Sequence, residues 1–115
     1  MEYDGDRTVL TVAGDDEFQV RVEHDLGSVV YVSLCGELDM ATAAVLEATL
    51  RTLPSDVGEV RLELAELSFV DSSGLKVLIA ANAFLAGKLT LAHPQPAVAK
   101  VLRMTGLDQY FITTS

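Results

Sequence analysis

Asp71-Ser72-Ser73-Gly74 is where this 115-residue chain concentrates groups able to do chemistry. The strand-like run Leu67-Ser68-Phe69-Val70 feeds it and an apolar, helix-like segment follows. That order predicts both serines at or just before a helix N-terminus. There the first backbone N–H groups lack partners within the helix, and the positive end of the helix dipole points outward. Two uses compete for this geometry. A serine hydroxyl can cap the free N–H groups, which makes the stretch a plain capping turn. A phosphate attached to a serine is equally welcome there. Asp71 adds a carboxylate beside the modified position, where it repels an added charge and can transmit its presence.

Other chemistries find less support. A serine nucleophile on a nucleophile elbow needs a glycine two residues earlier, and none stands there. His24 lies on a strand-like segment and His93 precedes Pro94, so both read as surface or strand-end residues. Two isolated histidines and the lone Cys35 show no metal-ligand spacing. No glycine-rich phosphate loop is present, so neither metal nor cofactor is expected.

The elements around the serines follow from periodicity. Residues 1–15 form an arm that contributes at most one edge strand, and residues 16–115 form the domain proper. Phe18 to His24 alternates apolar and polar, the period of a strand with one wet face. Asp25-Leu26-Gly27 is a turn, and Val29 to Cys35 a second strand. Asp39 is an N-cap candidate for a helix carrying Ala43, Leu46, Leu50 and Leu53. Pro54-Ser55-Asp56 stops it, and Val60, Leu62 and Leu64 mark a third strand.

After the serines, a helix runs from about Leu75 to Ala86. At about 100° per residue, Leu75, Ile79, Asn82 and Ala86 share one stripe, with Val77, Ala80, Ala81 and Phe84 opposite. A helix apolar all round is either enclosed by its neighbours, with Phe84 alone partly exposed, or offers a contact surface. Leu89 to Ala92 is a fourth strand. Pro96 opens a helix through Val98, Val101, Leu102 and Met104, closed by Gly106, and Tyr110-Phe111-Ile112 can form a last strand. This alternation predicts an α/β fold: a mixed sheet of about five strands with three to four helices packed on it.

Composition narrows the function classes. Seventeen acidic residues against eight basic ones give a net charge of −9. Such a surface repels nucleic acid phosphates and anionic lipid headgroups, and no Lys/Arg cluster overrides it. Half the residues are hydrophobic, yet no apolar run reaches membrane-span length, so neither nucleic acid binding nor membrane insertion is expected. One cysteine and an acidic start, Met1-Glu2-Tyr3-Asp4, fit a cytoplasmic location.

Three motifs carry a family resemblance from about Phe18 to Ile112. They are Gly36-Glu37-Leu38-Asp39 with Ala41-Thr42-Ala43, then Leu64 through Leu75 including Asp71-Ser72-Ser73-Gly74, then Pro96 through Leu102 with Thr105-Gly106-Leu107 and Tyr110-Phe111. Together they resemble the STAS domain, and within it the bacterial anti-sigma factor antagonists. The resemblance implies a non-enzymatic switch. The unphosphorylated domain would bind an anti-sigma factor that is a serine kinase, and so free a sigma factor. Phosphorylation of the second serine, here Ser73 with Ser72 as second choice, would end that binding. A metal-dependent serine phosphatase would reset it. Asp39, Asp71, Ser72, Ser73, Gly74, Leu75, Val77, Ala81 and Phe84 are the expected partner-binding residues. The alternative is a STAS subunit of a lipid-trafficking ATP-binding-cassette complex at the inner membrane, which needs no phosphoserine. Retention of all four residues from Asp71 to Gly74 favours the switch.

Overall fold

The computed structural model describes residues 8–25 and 27–114. Residues 1–7 of the expected arm and Leu26 of the expected turn lie outside them. The described elements run β1 (Thr8–Gly14), β2 (Gln19–His24), β3 (Val29–Leu38), α1 (Ala43–Arg51), β4 (Glu59–Val70), α2 (Ser72–Phe84), β5 (Leu89–Ala92), α3 (Pro96–Met104) and β6 (Ile112–Thr114). The sheet keeps chain order, β1-β2-β3-β4-β5-β6. β1, β2 and β3 pair antiparallel through tight connections, and β3 to β6 pair parallel. Each parallel step contains one helix, because a parallel neighbour cannot be reached by a short turn. The result is the expected mixed sheet with helices, with six strands and three helices among the described residues.

Register explains the core. Val30 and Val32 lie beside Val60 and Leu62, which lie beside Leu89 and Leu91, so the buried side chains of three strands share one face. Val20 and Val22 of β2 extend that face. Leu46 and Leu50 of α1 and Leu78 and Ala81 of α2 join the same cluster, and the two helices pack on each other. On the other face, Arg21, Tyr31, Ser33, Arg61 and Glu63 alternate with the core residues and stay exposed or half-buried. β5 is buried on all four residues, as a strand covered on both sides must be.

The arm supplies the one edge strand allowed for it, β1, whose pairing with β2 shifts register between Val9 and Thr11. Boundaries elsewhere differ from the sequence reading: β3 runs on past Cys35 to Leu38. The last strand starts at Ile112, since Phe111 turns inward and is buried while Tyr110 packs edge-on against it at 5.0 Å. β4 reads in sequence as two apolar runs, yet it is one strand of twelve residues. Two register shifts against β3, between Ser33 and Cys35 and between Gly36 and Glu37, absorb its extra residues. Gly36 is required there: its φ is +112°, and a Cβ would lie 2.2 Å from the Glu17 carbonyl oxygen.

Candidate functional site

Leu38 and Val70 are register partners at the ends of β3 and β4, so two strand-to-helix junctions lie side by side. The Asp71 N–H donates to the Leu38 carbonyl at 3.1 Å and ties them together. An aspartate follows the strand in both. At the second junction the helix starts at once. Asp71 is extended, and its Oδ1 accepts from the N–H groups of Ser73 (2.9 Å) and Gly74 (3.1 Å). The cap is therefore the aspartate and not a serine hydroxyl. Its short carboxylate reaches the two N–H groups of the first turn, leaving both hydroxyls without a capping role.

The serines occupy the first two helical positions, because α2 starts three residues before the expected Leu75. Ser72 is exposed and Ser73 half-buried. Gly74 is buried between the strand ends; a Cβ there would lie 2.7 Å from Leu38 Cγ and 2.8 Å from Val70 Cγ2. The glycine thus lets the helix start press directly on the two strand ends, which fixes the serines against the core.

The first junction works differently. Asp39 Oδ1 accepts from the N–H groups of Ala41 and Thr42, while Ala43 donates to the Asp39 carbonyl. Asp39 therefore caps a turn that precedes α1. The residue flanking the helix is Thr42, which makes no side-chain cap, so the expectation of Asp39 as N-cap is corrected by one turn. The Thr42 hydroxyl instead donates to the Glu37 carbonyl at 2.8 Å and accepts from the Asp39 N–H, locking the loop. Beside it, Asp15, Glu17, Glu37, Asp39, Thr42 and Ser68 line a groove of about 590 Å³. The Glu17 and Phe18 N–H groups donate to Asp15 and hold its carboxyl below the usual carboxylate range.

The expected contact residues divide. Asp39, Asp71, Ser72 and Ser73 are exposed or half-buried and come together around the junctions. Gly74, Leu75, Val77 and Ala81 are buried, so within the folded chain they support the site from beneath and offer no surface. Phe84 is half-buried at the far end of α2, with the Arg51 guanidinium 4.2 Å from its ring centroid. Arg51 is held in turn by Glu47 at 3.1 Å, across one helical turn. The outer face of α2 is instead Ser72, Lys76, Ile79 and Ala83, at helical spacing. Next to the junctions, Met40 (81 %) and Phe69 (47 %) are strongly exposed, and Ile79 reaches 38 %. Sequence reading missed Met40, Phe69, Lys76 and Ile79. The available signal was Lys76, the single charge in an otherwise apolar helix, which marks the solvent side. The two histidines do not join the site: His24 Nδ1 meets the Asp25 carbonyl, and His93 Nδ1 meets Glu63 at 3.4 Å.

Known proteins share the fold of this chain. A solved anti-sigma factor antagonist from Mycobacterium paratuberculosis is 27% identical, with a TM-score of 0.69 over 99% of this chain and 90% of that one. The anti-sigma factor antagonist SpoIIAA in its unphosphorylated form is also 27% identical, with a TM-score of 0.65 over 85% of this chain and 88% of that one. The phosphorylated form of SpoIIAA, described as a Bacillus cell fate determinant, matches at 27% identity with a TM-score of 0.61, over 85% of this chain and 91% of that one. The family model described as "Mlab, STAS domain" matches residues 20–114, which take in β2 to β6 but for Gln19, the helices α1 to α3 and both junctions. The chain belongs to the STAS domain family.

Proposed function

We propose that this chain is an anti-sigma factor antagonist switched by phosphorylation of Ser73. Unmodified, it binds an anti-sigma serine kinase and so releases a sigma factor. The Ser73 Oγ then attacks the γ-phosphorus of ATP held by that kinase. The Oγ–P bond forms as the bond to ADP breaks, and the hydroxyl proton passes to a base on the kinase. A metal-dependent serine phosphatase reverses the state by hydrolysis, returning the hydroxyl and inorganic phosphate.

One observation carries this reading. Asp71, and not a serine, caps α2, so both serines stand on the first turn with hydroxyls that make no hydrogen bond among the described residues. The cap of α2 does not depend on those hydroxyls, which suits a reversible modification. Met40 and Phe69 next to the junctions, and Ile79 about two turns along the outer face of α2, supply exposed apolar area, the sort of anchor a partner surface needs. Two 27%-identical relatives are described as anti-sigma factor antagonists, and one of these is known in unphosphorylated and phosphorylated forms.

Mass spectrometry after incubation with the cognate anti-sigma kinase and ATP tests the assignment. Phosphate on Ser73 is expected. Phosphate on Ser72 alone, or none together with stable association to transporter subunits, overturns it.

A further inference from the structure

We propose that Lys76 is the counter-ion of the phosphate on Ser73, an inference that rests on reading Ser73 as the acceptor. Lys76 lies three residues after Ser73 and four after Ser72, one turn along α2. Side chains so spaced are neighbours on a helix surface, within about 5–6 Å at their Cβ atoms. Lys76 is exposed, and among the described residues no hydrogen bond or ion pair holds its ammonium group. It is also the only charged residue between Ser72 and Phe84.

The other basic side chains near α2 are engaged. Arg51 of α1 is bound to Glu47 and covers Phe84, and Lys88 donates to the Ser55 carbonyl at 3.3 Å. The remaining charges at the junctions are carboxylates: Asp71 on the cap, and Glu37 and Asp39 on the neighbouring junction. Asp71 Oδ1 already takes the Ser73 and Gly74 N–H groups, so part of the helix end is spent before any phosphate arrives. A phosphate adds roughly −1.5 to −2 charges at neutral pH. Among the described residues, its one cation within a turn on α2 is Lys76. The pair neutralises part of the added charge inside the domain and lets the modified chain keep its fold.

Pairing with a cation favours the phosphate dianion over the monoanion, so Lys76 lowers the second phosphate pKa. The test installs phosphoserine at position 73 during translation and follows its ³¹P shift against pH, with Lys76 intact, with Lys76→Arg and with Lys76→Gln. The second pKa is expected about 0.2–0.4 unit lower with Lys76 or Lys76→Arg than with Lys76→Gln, the size of a one-turn ion pair. The gap should close in about 1 M salt, where screening acts within roughly 3 Å. Lys76→Gln should also lower the melting temperature of the phosphorylated chain more than that of the unmodified one. Equal second pKa values in all three chains at low salt would overturn the proposal. Because the phosphate is installed without a kinase, a kinase that ignores Ser73 defeats the proposed function and leaves this result readable on its own.

Discussion

The two junctions at the ends of β3 and β4 begin with the same device and end in different structures. In each, an aspartate follows a buried strand residue and accepts N–H groups two and three positions ahead. After Val70 those N–H groups belong to a helix, and after Leu38 they belong to a turn. The difference lies in the third residue on. Gly74 has no Cβ to strike Leu38 or Val70, so α2 can start flush against the strand ends. Ala41 and Thr42 at the first junction instead ride outside the core, exposed and half-buried respectively, and hold α1 off by a turn. One junction is thereby a rigid shelf for two serines, and the other a polar rim beside it.

Breaking the shared floor should have the largest effect. Leu38 is fully buried between the junctions, and Leu38→Ala should lower unfolding free energy by about 2–5 kcal/mol, read from urea denaturation. Next comes the contact that separates the junctions. Gly74→Ala introduces a clash worth about 1–3 kcal/mol, which outweighs the roughly 1 kcal/mol that alanine gains over glycine in a helix. A net loss of about 0–2 kcal/mol is expected, and a more stable variant would show that the strand ends yield easily.

The two caps sharpen the comparison. Asp71→Ala should cost about 1 kcal/mol, the usual value of a helix N-cap. Asp39→Ala removes bonds to a turn and should cost less, within about 0.5 kcal/mol. Equal losses by thermal denaturation would make the junctions equivalent. The smallest effect concerns the rim. The folded pKa of Asp15 lies below its unfolded value of 3.8, so its contribution is complete above that value and fades as pH falls through the folded pKa. Asp15→Asn should flatten the acid side of the stability profile, with a small loss at neutral pH that disappears as pH falls below the folded pKa.

Much of this was legible in the chain because its causes are local. Asp71 to Gly74 announced a helix start, and the left-handed Gly106 closes α3 as expected, with φ of +76°. What stayed hidden depends on distant partners. The edge strand allowed for the arm forms because β2 offers it a ladder, and strand propensity alone does not reveal that partner. β4 reads as two runs because its bulges are defined only against β3. The stripes drawn on α2 were each split by the fold: Leu75 is buried while Ile79 on the same stripe is exposed, and Ala81 is buried while Phe84 stays partly open. An apolar helix does not say which side faces the sheet until α1 is in place beside it.

The central claim is that charge added at Ser73 is tolerated by the fold and refused by the partner. At the start of α2 the added anion gains about 0.3–1 kcal/mol from the helix dipole. Carried into an interface, it must be desolvated together with its one-turn partner Lys76, at a cost of several kcal/mol. The direct measurement is calorimetric titration of the anti-sigma kinase with the parent chain, Ser73→Ala and Ser73→Asp, with a melting curve for each. Parent and Ser73→Ala should bind, and Ser73→Asp should melt within a few degrees of the parent yet show no binding. A Ser73→Asp chain that unfolds, or one that binds as the parent does, would contradict the claim.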